Sequence, residues 1–245
     1  KSFKLKQYVK LFGVGILRVS MSLCFFYALS NGPRIENNII TLTWPIFMVM
    51  FNVLSGEQRI TKTEIICLLL SFVGSFFIVL KGNSFETISF SHFTYKFSLL
   101  YAVLGGFYYF IYRKIKEEIF PTNEVVINKN TVMSHLYMVF WQGITGVILV
   151  IALLPVFPES LLIPPEEFKL MALLGVVGYA LPQLFISYSN LNMKASDFAL
   201  LRYLNPVICT FYLYLILDDQ IFATTIIGAT LIFSCIYMIQ IARSG

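Results

Sequence analysis

Residues 199–212 read ALLRYLNPVICTFY, an apolar run interrupted by an arginine, an asparagine and a proline. In the core of a water-soluble protein Arg202 needs a partner to offset its desolvation, and Pro206 breaks a helix or leaves a strand ladder short of a donor. The composition around the stretch changes the solvent. Of 245 residues 58% are hydrophobic and 13% charged, with mean hydropathy +0.77, more apolar surface than one soluble domain can hide. The stretch is therefore read as lying in lipid, where a spanning segment is a helix or part of a closed barrel.

Outward from it, short clusters of charge divide the apolar residues into eight blocks, at 11–30, 38–56, 63–81, 96–113, 133–155, 168–190, 196–217 and 221–242. Each is close to the ~20 residues that cross about 30 Å of hydrocarbon. The blocks are solidly apolar and do not alternate, which selects helices over barrel strands. The predicted fold class is all-α, a polytopic transmembrane helical bundle with no soluble domain.

Lysine and arginine concentrate in cytoplasmic loops. Residues 1–10, 56–64 and 113–130 with Lys194 and Arg243 hold twelve basic residues on one side, against four on the other, Arg34, Lys81, Lys96 and Lys169. Both ends of the chain are thus predicted to be cytoplasmic, in the plasma (inner) membrane. The net charge of +5 is topological, and no basic stripe interleaved with exposed aromatics suggests nucleic acid. The chain begins at Lys1 in what reads as a loop between helices, so an N-terminally trimmed chain is expected. Cys24, Cys67, Cys209 and Cys235 all fall inside spans without CxxC spacing and are expected to be buried thiols with no disulfide or metal role.

Compared with itself at an offset of 161, the sequence aligns 26–80 with 187–241. Tyr27 meets Tyr188, Asn31 meets Asn192, Pro45 meets Pro206 and Leu54 meets Leu215. Acids also correspond, Glu36 with Asp197 and Glu57 with Asp218. Apolar helices share residues by chance, so the matched prolines and acids carry the weight. Five spans separate the two copies of each helix, which makes them opposite in direction. Such an inverted repeat presents a midplane site to the two sides in turn.

FFYALSNG (25–32), LTWPIFMVMFNVLSGEQRIT (42–61) and ALLRYLNPVICTFYLYLILDDQIFATTIIGATLIF (199–233) together resemble the EamA-type branch of the drug/metabolite transporter superfamily. Within it, TWP and YLNPV are similar to segments of the bacterial aromatic amino acid exporters. The resemblance implies ten helices in two inverted five-helix repeats, with a central cavity lined by the first, third and fourth helix of each. Eight spans are present here and the first two helices are absent. Residues 1–120 then hold helices 3 to 5 and helix 6, at about 96–116, and residues 121–245 hold helices 7 to 10.

Within that frame Pro45 and Pro206 are helix bends, each freeing a carbonyl one turn earlier, near Thr41 and near Arg202. Arg202 and Asn205 bracket one bend, and Thr41 and Trp44 occupy the matching places in the other. Arg202 either faces a ligand or snorkels to the cytoplasmic interface. Trp44, Tyr108, Trp141, Tyr179 and Tyr203 are candidates to stack on a substrate, with lipid-facing packing as the alternative. The amides of Gln142 and Gln183 are expected to turn inward, toward a cavity or a neighbouring helix. Arg18, Glu36 and Asp197 are weaker candidates for coupling to protons or a counter-substrate. The two acids also open helices, where a negative charge suits the dipole and Ser196 is placed to cap Asp197's helix. Gly105 and Gly106 with Ala102, Ser71 with Ser75, and Gly175 with Gly178 are expected to mark close helix contacts.

No HExxH, GxSxG or Walker loop occurs in the chain, and His92 and His135 do not suggest a metal pair. Neither an enzyme, nor a cofactor, nor a metal is expected. The predicted partners are the lipid bilayer and a small-molecule substrate. Three hypotheses follow: a secondary carrier exporting small metabolites such as amino acids, a nucleotide-sugar or phosphate-ester antiporter of the same fold, and a non-transporting membrane scaffold.

Overall fold

The computed structural model describes residues 5–80, 92–119, 129–153, 181–217 and 220–244. All its regular elements there are helices: α1 (Leu5–Asn31), α2 (Arg34–Thr41), α3 (Trp44–Leu54), α4 (Lys62–Leu80), α5 (Tyr95–Ile119), α6 (Lys129–Leu153), α7 (Leu181–Asn192), α8 (Ala195–Arg202), α9 (Leu204–Leu217) and α10 (Ala223–Ser244). Among the described residues four stretches are long and apolar enough to cross a membrane: Leu5–Asn31, Arg34–Leu54, Lys62–Leu80 and Ala223–Ala242. Most of the predicted 168–190 block, including Tyr179, Gly175 and Gly178, lies outside the described residues.

The predicted span 38–56 belongs to a pair of helices, α2 and α3, joined by a tight turn at Leu42 and Thr43. The predicted span 196–217 is likewise α8 and α9, joined at Tyr203. A bend at each proline was expected. The interruption instead falls up to three residues earlier, and each proline sits in the first turn of the second helix. The reason is that the first turn has no intrahelical acceptor for its N–H groups, so proline loses nothing there. The turn residues keep helix-like torsions with ψ near −10°, and their N–H groups bond three residues back, Thr43 to Ile40 at 3.1 Å and Tyr203 to Leu200 at 3.0 Å. Hydroxyls meet carbonyls near both breaks: Thr41 Oγ1 donates to Asn38 O and Thr43 Oγ1 to Ile40 O, each at 2.7 Å, and Ser75 Oγ donates to Tyr203 O at 3.3 Å. The starts of α2 and α4 fall 161 residues before those of α8 and α10, and the start of α3 falls within one residue of that offset before α9.

The chain divides into two compact units, residues 1–20 with 111–193, and residues 21–110 with 194–245. In the first, α1 meets α6 where a Cβ on Gly15 would fall 2.4 Å from Thr145 Oγ1, and the Tyr8 ring lies edge-on to Trp141 at 5.3 Å. Lys10 pairs with Glu118 at the end of α5. The hydrogen bond from Lys10 holds the Glu118 carboxyl below its ordinary pKa, with Lys6 adding to the effect. Gln142 and Gln183 are both buried in this unit, as expected of amides in a span.

In the second unit α4 packs against α2, α8, α9 and α10. It approaches α10 so closely that a Cβ on Gly228 would fall 2.3 Å from Gly74 O. Two contacts about two turns apart fix the direction. Gly74 lies against Gly228, and Cys67 shares a buried cluster with Cys235, so position falls along α10 as it rises along α4 and the helices are antiparallel. Of the four cysteines only Cys67 and Cys235 are fully buried; Cys24 is half-buried and Cys209 exposed, which corrects the expectation that all four are. Gly105 and Gly106 let α5 approach α3, a Cβ on Gly106 falling 2.6 Å from Met48 N. Ser71 and Ser75 are buried on α4.

Gly228→Ala is expected to lower the stability of the detergent-solubilised protein by about 1–3 kcal/mol, because the clash is with backbone. Gly13→Ala, where a Cβ meets nothing within 4 Å, is the control and should leave the melting temperature nearly unchanged. Equal effects of the two would refute the α4–α10 contact.

Candidate functional site

The two broken helices line one cavity of about 490 Å³ in the second unit. Arg34, Asn38 and Thr41 recur at helical spacing along α2 and form a polar stripe on its wall. Trp44 opens α3 beside them, and Arg202, Asn205 and Pro206 come from the junction of α8 and α9. Two pairs related by the 161-residue offset, Thr41 with Arg202 and Trp44 with Asn205, thus face the same space. Phe25 and Tyr101 supply apolar wall from α1 and α5.

Trp44 is held rigidly. Tyr109 stacks on it with centroids 4.7 Å apart and planes 26° from parallel, and Phe198 meets it edge-on at 6.3 Å. On the cavity side the Arg202 guanidinium lies over the indole, 5.4 Å from its centroid. That geometry is a cation–π contact. Arg202 Nε is buried and has no hydrogen-bond partner, and no described Asp or Glu lines the cavity. Among the described residues Arg202 pairs with no acid, and the contact that meets its charge is the indole face.

Of the expected site residues, Trp44, Arg202, Asn205 and Pro206 come together. Pro45 is buried behind the turn at the start of α3. Tyr108 is buried in helix packing against Tyr109, and it is Tyr109, one residue on, that supports Trp44. Trp141, Gln142 and Gln183 belong to the other unit and Tyr179 is outside the described residues. Arg18 is half-buried on α1 in that other unit. Glu36 and Asp197 stand in the first turns of α2 and α8, as the dipole reading expects, and do not line the cavity. Sequence reasoning missed Arg34 and Asn38 because Arg34 was counted as a loop charge; their spacing of four, continued to Thr41, was the available signal.

A second polar cluster closes one end of the unit. Glu64 is the third residue of α4 and exchanges bonds with Thr61, the carboxylate accepting from Thr61 N at 2.8 Å while Glu64 N donates to Thr61 Oγ1 at 3.2 Å. This is a capping box, legible in the T-x-x-E of 61–64. The same carboxylate accepts from Lys194 Nζ at 2.7 Å and Ser196 Oγ at 3.1 Å. Ser196 was expected to cap α8, but α8 begins at Ala195, so Ser196 is already helical and its hydroxyl is spent on Glu64. The open N–H of Ala195 goes to Gln58 Oε1 at 3.0 Å instead. At the other end of the unit Asn37, fully buried, joins three helices by donating to Ala28 O and Thr94 Oγ1 and accepting from Ser98 Oγ at 2.6 Å.

Comparison with known proteins places this geometry. The EamA-like transporter family matches residues 1–80 and 92–241, and the chain belongs to that family. It is thus an integral, multi-pass membrane transporter that acts on a small molecule. Over 221 residues it is 24% identical to the pseudopaline exporter CntI of Pseudomonas aeruginosa, a match that takes in 89% of this chain and 70% of the relative. The same exporter matches equally in a second strain of that species. A solved crystal structure of a protein shares the fold at a TM-score of 0.66 and 16% identity, over 96% of this chain and 75% of the other.

Glu64→Ala should destabilise the protein more than Lys194→Ala. The first strands a serine, a lysine and a helix cap in a buried setting, whereas the second removes a partner whose side chain is 38% exposed. Thermal unfolding of both variants in detergent checks the order, and a larger loss for Lys194→Ala would contradict it.

Proposed function

We propose that the chain is a secondary carrier that exports small metabolites, amino acids or similar amphipathic compounds, by alternating access at the cavity between the two broken helices. The observation that carries this is the meeting of both breaks at one cavity. Irregular backbone within a membrane is tolerated where protein or a water-lined cavity satisfies it, and discontinuous helices of that kind form midplane sites in transporters. The inverted-repeat architecture, with helices 3 to 6 in 1–120 and 7 to 10 in 121–245, is supported by the 161-residue correspondence of helix starts and by the antiparallel contact of α4 with α10. Two inverted copies of one helix must run in opposite directions, and these do. Both ends cytoplasmic is supported by the Glu64–Lys194 ion pair, which joins two loops assigned to the cytoplasmic side by charge. The exporter named among the relatives favours outward movement.

In this mechanism Trp44, Arg202 and Asn205 contact the substrate, Pro45 and Pro206 set the hinges, and the α4–α10 contact forms a fulcrum. Trp141, Gln142, Tyr179 and Gln183 remain candidates for the substrate path in the complementary state, and Arg18, Glu36 and Asp197 for coupling.

Reconstituted in liposomes, the protein should give saturable counterflow of at least one member of a panel of radiolabelled amino acids. Arg202→Ala should raise KM for it roughly ten- to a hundredfold, the cost of losing a charge-assisted contact. Flux linear in concentration and indifferent to the substitution would refute the carrier reading.

A further inference from the structure

The cavity is electrically one-sided. Its charged lining among the described residues is Arg34 and Arg202, with no carboxylate. Arg34, the first residue of α2, is exposed; Arg202 is half-buried, and its Nε is shut off from solvent without an acceptor. A guanidinium inside a membrane is costly and normally finds an acid or a carbonyl. Here it leans on the face of Trp44, which offsets part of that cost while leaving its planar edge of donors uncommitted. Asn205 and Thr41 add neutral donors within the same lining, and Phe25, Trp44 and Tyr101 make the rest apolar.

We propose that this is a carboxylate subsite. Arg202, backed by Trp44, receives the carboxylate of the substrate, and the aromatic wall takes its apolar or planar body. This rests on the carrier reading of the same cavity and narrows the substrate class. A carboxylate fits better than a phosphate ester for two reasons. A guanidinium edge pairs two donors with two carboxylate oxygens, and the single half-buried cation balances one negative charge. Arg34, at the exposed start of α2, draws anions toward the cavity.

The chain has two tryptophans, so Trp141→Phe leaves Trp44 as the sole indole and its fluorescence reports on the cavity whether or not anything is transported. In that background, quenching of the detergent-solubilised protein by iodide, caesium and neutral acrylamide is compared at constant ionic strength. Iodide should quench several-fold more than caesium, and Arg202→Gln should bring the two together while acrylamide quenching holds, which shows that the indole environment survives. N-acetyl-leucine should then shift Trp44 emission saturably and relieve iodide quenching, and N-acetyl-leucinamide should not. Arg202→Lys should keep a weakened response and Arg202→Gln none.

Equal responses to acid and amide would overturn the carboxylate subsite and leave the carrier reading intact. A response to butyl phosphate alone would overturn it in favour of a phosphate ester. No response to any probe, with iodide and caesium quenching alike, would also overturn it. Saturable amino acid counterflow, measured separately, then decides whether the carrier reading falls with it.

Discussion

A proline in a membrane helix withdraws an N–H and deprives the carbonyl four residues earlier of its donor, and hydrocarbon offers no water to replace it. In the second unit two prolines avoid that loss by standing in first turns, with the helix broken just before each. Each starts a new helix after a tight turn, and the carbonyls near those turns are met by Thr41, Thr43 and Ser75. Because Ser75 lies on α4, that helix must pass directly behind the break at Tyr203. Ser75 is one position from Gly74, so the hydroxyl that donates to Tyr203 O and the glycine that admits α10 occupy the same turn. The backbone's demand for partners thus sets where helices cross.

The breaks give the cavity its character. A continuous helix would present only side chains to it, whereas a start at Trp44 and another at Leu204 place Trp44 and Asn205 on first turns, beside the ends of α2 and α8 that carry Thr41 and Arg202. An aromatic plane, a guanidinium and an amide from different half-helices then share one wall. Tyr109 and Phe198 pack against that plane from two sides.

Much of this was legible in the sequence. The twenty-residue apolar blocks located the helices, since length and hydropathy are local properties; α1, α4 and α10 run within a few residues of 11–30, 63–81 and 221–242. The prolines marked both breaks to within three residues. What composition could not reveal was partnership. Glu64 stood at the edge of a charged segment with no role assigned, yet its carboxylate serves Thr61, Lys194 and Ser196, the last two 130 and 132 residues away. The sequence analysis named Tyr108, while the ring stacked on Trp44 is that of Tyr109; one step turns a helix by ~100° and selects a different neighbour. Arg34 was hidden by the assumption that a basic residue at a span boundary belongs to a loop.

An arginine with no acid beside it has an electrical consequence. If Arg202 keeps its charge throughout the cycle, the empty cavity carries a positive charge that the transmembrane field acts on, at about 2.3 kcal/mol per 100 mV for a full crossing. A bound monoanion balances the charge of Arg202 and leaves Arg34, at the exposed start of α2, as the remaining cation of the lining. Voltage would then act more on the return of the empty carrier than on the loaded step, so that the resting potential of the cell would bear on turnover through a binding residue.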